Sequence, residues 1–245
     1  MIDLIIKHYD RRLMMYLSLL AIIGTIMLYS ASWYESFLST NGNSEMLFLK
    51  NHLKRLAIGM IFLVGFLLFD YRALKQIAPY LVLASLLLLI LTKSIYLVNG
   101  YSWYKPARWL SLGSFSFQTS DIARFSILIY MAYYVDKQRD KIRDFQNGLL
   151  PALFIIFLIM SLIIIQPDYS TAIMIGFLGM LILFIGGAKI SQILLTCSIA
   201  LLIGIPVLLS REYRRERVLS FFGIGDNPDV GYQAHQSLIS LGNGG

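Results

Sequence analysis

The stretch LLPALFIIFLIMSLIIIQPDYSTAIMIGFLGMLILFIGGAKISQILLTCSIALLIGIPVLLS, residues 149–210, decides the fold. It holds three apolar runs, 149–165, 170–187 and 190–209, joined only by a QPDY turn and a GGAK turn. A helix crosses about 30 Å of hydrocarbon with roughly 17–25 mostly apolar residues, so each run is long enough to span a bilayer. Working outward, four more runs of the same character fall at 13–32, 53–69, 76–92 and 121–135. The reading is an all-α polytopic membrane protein with seven transmembrane helices, a single integral membrane domain over 1–245. Residues 210–245 read as the start of a large extracytoplasmic loop.

Composition agrees. Hydrophobic residues make up 57% of the chain and charged ones 14%, against about 25% charged in a soluble domain. Mean hydropathy is +0.67. The single cysteine, Cys197, lies inside an apolar run, and His8, His52 and His235 are far apart, so no metal-ligand spacing is present. No Walker loop or GxGxxG element supports nucleotide-driven transport, and nothing points to nucleic acid. Arg11 and Arg12 before an apolar run that closes on Ser30-Ala31-Ser32 imitate a secretion signal. The run exceeds the 7–15 residues of a signal core and six spans follow, so it reads as a retained first span.

Net charge is +7, and an odd number of spans puts the termini on opposite sides, with the 21 Lys and Arg divided almost evenly between them. The positive-inside rule therefore cannot orient the chain by count. The short basic loop DKQRDKIRDFQNG, 136–148, favours the N-terminal side as cytoplasmic. The cations left on the other side then have two readings: a surface for an anionic ligand, or Lys and Arg snorkelling at headgroup level. The connection from Trp33 to His52, which carries Ser, Asn and Gly, reads as a mobile loop.

Three polar segments on that second side carry the candidate chemistry. In the first, 105–124, the middle alternates polar and apolar residues as a strand-like or interfacial loop does, and Thr119 or Ser120 is suited to cap the fourth span. Asp121 and Arg124, three apart, share a helical face and form either a self-neutralising pair or part of a binding site. In the binding reading Arg108 and Arg124 present guanidinium groups to a phosphate, Gln118 lies between them, and Trp109 anchors the loop among headgroups. The second segment places Gln166, Asp168 and Thr171 in a tight turn at membrane depth. Capping of the sixth span accounts for Asp168 alone, whereas a polar cluster there lines a cavity. The third holds Arg211, Arg214, Arg215 and Arg217, then Gln233 and Gln236, and ends on a Gly-rich turn whose backbone donors suit an anion.

In chain order, Leu28-Tyr29-Ser30-Ala31-Ser32, Asp70-Tyr71-Arg72, Arg108-Trp109-Leu110-Ser111-Leu112-Gly113 and Phe115-Ser116-Phe117-Gln118 with Ser120 resemble the SEDS family (shape, elongation, division and sporulation). So do Gln166-Pro167-Asp168 with Thr171, Tyr213-Arg214-Arg215-Glu216-Arg217, and Gly231-Tyr232-Gln233 with Gln236-Ser237-Leu238. The wording of the last two is closer to the FtsW and SpoVE division branch than to the RodA elongation branch. The resemblance implies a ten-span bundle in the bacterial cytoplasmic membrane, N-terminus in the cytoplasm, of which this chain carries the N-terminal two-thirds. It implies a peptidoglycan glycosyltransferase that polymerises lipid II during division or elongation, beside a class B penicillin-binding protein and other division or elongation proteins. The substrate-binding set it implies is Arg108, Trp109, Gln118, Asp121, Arg124, Gln166, Asp168, Thr171, Arg214, Arg217, Gln233 and Gln236. The family's catalytic Asp falls beyond Gly245, so the chain is expected to be truncated and inactive alone. No cofactor is evident, and a divalent metal ion is left open. A precursor flippase or a non-enzymatic scaffold of the division machinery are the alternatives. The sequence departs from the family at Thr119 (usually Pro), Asp121 (Glu), Arg124 (Lys), Ser170 (Gly) and the 101–106 lead-in; the charge-conserving changes keep a binding role for Arg124.

Overall fold

The computed structural model describes residues 10–99, 108–112, 115–210, 212–221 and 232–243. The 101–106 lead-in, Gly113, Arg211, Gly231 and the Gly244-Gly245 of the glycine-rich end lie outside them. The chain divides into two compact units, Met1–Leu74 and Lys75–Gly245.

The first unit is a helical hairpin, α1 (Arg11–Ser39) and α2 (Leu47–Leu68), followed by a 3-10 turn at Tyr71–Ala73. Asp10 starts α1 by accepting from the backbone N–H of Arg12 at 2.9 Å and of Leu13 at 3.3 Å. The expected loop from Trp33 to His52 is much shorter, because α1 runs on to Ser39 and α2 begins at Leu47. Polar composition misled: no helix breaker stands between Trp33 and Thr40, and the chain turns only where Asn41 and Gly42 take positive φ, 51° and 84°. The two helices bury little, Ser36 on α1 and nothing on α2. A hydrogen bond of 3.2 Å joins Thr25 Oγ1 to His52 Nε2, the kind of polar tie that links helices in lipid.

The second unit holds α3 (Leu74–Val98), β1 (Trp109–Leu112), β2 (Phe115–Gln118), α4 (Thr119–Lys137), a π-type turn at Phe145–Leu149, α5 (Leu150–Ile165), α6 (Tyr169–Ile185) and α7 (Ile190–Leu209). Its core is α4 against α5 and α6. Ala123, Ile127, Met131 and Tyr134 of α4 meet Ala152, Ile156, Ile159 and Ile163 of α5 and Ala172, Ile175 and Leu183 of α6, all buried. Hydrocarbon on both sides removes the usual hydrophobic drive, so close backbone approach carries the packing. Gly179 permits it: a Cβ there would lie 2.7 Å from Ile156 Cδ1, too close for any real contact. Gly148 is fixed by the same argument, a Cβ falling 1.9 Å from the Lys141 carbonyl oxygen.

Among the described residues, five helices are long and apolar enough to cross a membrane, with bounds Arg11–Ser39, Leu47–Leu68, Tyr71–Val98, Phe145–Ile165 and Ile190–Val207. The other two expected spans depart from that pattern. α6 is apolar but only 17 residues long, and α4 carries Asp121, Arg124, Asp136 and Lys137 within its 19. Within the tail the described residues form α8 (Glu212–Phe221) and α9 (Tyr232–Gly242).

Candidate functional site

The alternating segment forms an antiparallel hairpin, Trp109 opposite Gln118 and Leu112 opposite Phe115. Its base closes where the Thr119 N–H donates to the Arg108 carbonyl at 3.2 Å. The strand therefore delivers Arg108 and Gln118 side by side and feeds directly into α4. Gln118 takes the N-cap position of α4 with no side-chain capping bond, so neither Thr119 nor Ser120 is the cap. Both are fully buried instead. Thr119 accepts a 3.3 Å hydrogen bond from Thr92 of α3, whose hydroxyl also reaches the Leu88 carbonyl at 2.7 Å.

Asp168 lies at the start of α6, yet its side chain makes no capping bond. The carboxylate turns inward and is 3% exposed. Its Oδ2 accepts from Gln118 Nε2 at 2.9 Å and from Ser120 Oγ at 3.0 Å, while Oδ1 faces Arg108 Nη1 at 3.8 Å. Arg108 also donates from Nη2 to the Pro167 carbonyl. Gln118 Nε2 further donates to Ser120 Oγ at 2.8 Å. A buried carboxylate is costly unless paired and hydrogen-bonded, and this one has both kinds of partner. Residues separated by some 50 positions are thereby tied at one point.

Gln166, 1% exposed, donates from Nε2 to the Leu89 carbonyl of α3 at 2.9 Å, and its Oε1 is buried without a protein partner. Thr171 is buried one turn into α6. Asp121 and Arg124 form the ion pair that their spacing predicts, both partly exposed. Arg108 and Arg124 each keep a buried Nε with no partner among the described residues. Trp109 is 51% exposed on the hairpin, as an interfacial anchor requires.

The structure thus brings Arg108, Gln118, Gln166 and Asp168 to one end of the unit, with Asp121, Arg124 and Thr171 within a turn along their helices. The two arginines are each matched by a carboxylate, Arg108 by Asp168 and Arg124 by Asp121. Arg214 and Arg217 lie on α8 and Gln233 and Gln236 on α9. Sequence reasoning missed Ser120 as a partner of Asp168, and Thr92 and the Leu88, Leu89 and Pro167 carbonyls altogether. Ser85, Leu89 and Thr92, seven residues from first to last on one face of a spanning helix, were the available signal. No group of three or more His, Cys, Asp and Glu side chains stands together as a cation site among the described residues.

The opposite end of the unit is organised differently. Lys75 and Asp136 form an exposed ion pair, Tyr134 donates its hydroxyl to the Gly148 carbonyl at 2.7 Å, and Gln192 reaches the Arg143 carbonyl at 3.3 Å. In the connecting turn, Asp144 accepts from Asn147 Nδ2 at 2.6 Å and from the Gln146 N–H at 3.2 Å. The Asn147 bond above all, then the Gln146 bond, holds the Asp144 carboxyl below its ordinary value.

Fold and site define a polytopic helical membrane protein with a buried polar network gathered at one end of its bundle. The family model FTSW_RODA_SPOVE, described as cell cycle protein, matches residues 10–245, and the chain belongs to that family. A "Probable peptidoglycan glycosyltransferase FtsW" of Geobacter sulfurreducens is 29% identical over 98% of this chain and 64% of its own length. The same-named protein of Idiomarina loihiensis is 30% identical over 96% of this chain and 56% of its own. The chain spans less than two thirds of the length of these relatives. Among solved structures, a chain described under "Structural coordination of polymerization and crosslinking by a peptidoglycan synthase complex" superposes with a TM-score of 0.60 at 25% identity, over 87% of this chain and 63% of that one. The rod shape determining protein RodA of Thermus thermophilus gives 0.51 at 26% identity, over 73% and 58%.

Proposed function

We propose that this chain forms part of a peptidoglycan glycosyltransferase that polymerises lipid II in the bacterial cytoplasmic membrane, with the hairpin end of the second unit at the periplasmic side and the N-terminus in the cytoplasm. Family membership and the names of the relatives support the activity. The observation that carries the site is the buried convergence of Arg108, Gln118, Ser120 and Asp168 at the mouth of a helix bundle, where the family's shared motifs meet. In such a reaction the hydroxyl of the acceptor sugar attacks the anomeric carbon of the lipid-linked donor, and undecaprenyl pyrophosphate leaves. A carboxylate supplied by the family's outer loop takes the hydroxyl proton. Guanidinium groups with unused N–H donors, as on Arg108 and Arg124, stabilise the departing diphosphate. A class B penicillin-binding protein and other division or elongation proteins are the proposed partners. Arg214, Arg217, Gln233 and Gln236 are proposed to complete the substrate surface from α8 and α9.

The test is the purified full-length protein in proteoliposomes with labelled lipid II. Glycan polymer without translocation of the labelled headgroup is the expected result. Translocation without polymer would replace the enzyme by a precursor flippase, and neither activity would leave the scaffold reading.

A further inference from the structure

We propose that Asp168 is a positioning residue that acts through Arg108, Gln118 and Ser120 and does not itself contact the substrate. This rests on the reading above for the reaction it serves, but the geometry stands independently. The carboxylate is nearly sealed from solvent, and both of its oxygens are engaged by protein groups. Its partners are the residue that opens the hairpin, the residue that ends it, and the second residue of α4. One buried anion thus fixes both feet of the hairpin and the rotation of the first turn of α4. That turn carries Asp121, and Arg124 follows three residues on, where the two form their ion pair. A local cap would have bonded the backbone N–H groups of α6, and Asp168 makes no such side-chain bond.

Two features explain why an anion is needed. Gln118 Nε2 and Ser120 Oγ both donate to Oδ2 while Arg108 Nη1 faces Oδ1; an amide oxygen could serve the first two, but its NH2 would then be turned toward the guanidinium. Arg108 is anchored twice on this turn, to the carboxylate and to the Pro167 carbonyl, which fixes the direction of its remaining Nε–H. Removing the negative charge frees the guanidinium to swing and the hairpin to open, while the helices packed through Ile156, Ile159 and Gly179 are untouched.

The experiment uses the full-length protein carrying Asp168→Asn, Gln118→Leu, both together, or Lys75→Ala as a control. Hydrogen exchange over 109–118 is read without substrate, and glycan polymerisation with labelled lipid II is read alongside. The expected result is exchange of the hairpin amides at least about 10-fold faster in Asp168→Asn and in Gln118→Leu, with α5 and α6 unchanged. Polymerisation should fall in each, and the double variant should be no worse than about twofold below Asp168→Asn alone, because both remove one device. Lys75→Ala should match wild type in both readouts. Unchanged hairpin exchange with lost polymerisation would overturn the proposal in favour of direct substrate contact. So would multiplicative losses in the double variant, and so would wild-type behaviour in both readouts. Should Asp168→Asn fail to fold, Gln118→Leu and Ser120→Ala keep the carboxylate, and undisturbed exchange in both would overturn it equally. If the wild-type protein makes no polymer while exchange still rises in the variants, the proposed reaction falls and the positioning role stands.

Discussion

The two ends of α4 each carry an acid–base arrangement, and they could hardly be built more differently. At the Lys137 end, Lys75 and Asp136 pair with side chains 59% and 57% exposed. At the Thr119 end, Asp168 is buried and held by Gln118, Ser120 and Arg108, and Arg108 donates in turn to the Pro167 carbonyl. The lesson is that burial, more than charge or distance, separates an ion pair that organises a structure from one that decorates it. Water and counterions screen the first pair, whereas the second network has no solvent to fall back on.

That contrast can be broken by substitution. Removing Arg108 strands a buried carboxylate; with the guanidinium itself about a third exposed, Arg108→Ala should cost on the order of 2–3 kcal/mol in reversible unfolding from bicelles. Gly179→Ala tests the intervening core, where the new methyl group must displace Ile156; a loss of about 1–3 kcal/mol is expected in the same measurement. Lys75→Ala should cost less than about 1 kcal/mol, since its pair is exposed. A cost for Lys75 equal to that for Arg108 would erase the distinction between the two ends.

The smallest effect sharpens the comparison through pH. The Asp144 carboxyl is held low in the folded chain, so its contribution is present above its unfolded value near pH 4 and is lost as pH falls through the lower folded value. Asp144→Asn should abolish that acid-side dependence in the protection of the 144–149 turn and lose, at neutral pH, the small protection that the carboxylate supplies. Identical acid profiles for the two proteins would remove the group from the account.

Much of this was legible in the sequence for reasons of scale. Apolar runs near the thickness of a bilayer announce themselves by length, and the Trp109–Gln118 alternation reads as strand because side chains of a strand alternate faces. The Asp121–Arg124 pair follows from helical spacing. What escaped is non-local. Nothing near Asp168 shows that its carboxylate seeks Gln118 and Ser120, about 50 residues away, so the local cap was the natural competing reading. Ser120 looked like a cap for the same reason, being a hydroxyl at a helix start. The span from Trp33 to Ser39 looked like loop because its residues are polar, although helix formation stops only at a true breaker, Asn41-Gly42. Helical spacing left Asp121 and Arg124 open between a self-neutralising pair and a binding group, and the pairing of Asp168 with Arg108, 60 positions apart, needed the fold to be seen.

The most direct test of the central claim compares polymerisation of labelled lipid II by full-length Arg108→Ala, Arg124→Ala and Arg139→Ala at matched levels in proteoliposomes. Arg108 and Arg124 are expected to lose on the order of 100-fold, as loss of a donor to a developing diphosphate would, and Arg139, in the turn at the other end, to stay within about twofold of wild type. Equal losses for all three arginines would contradict the assignment of the hairpin end as the site.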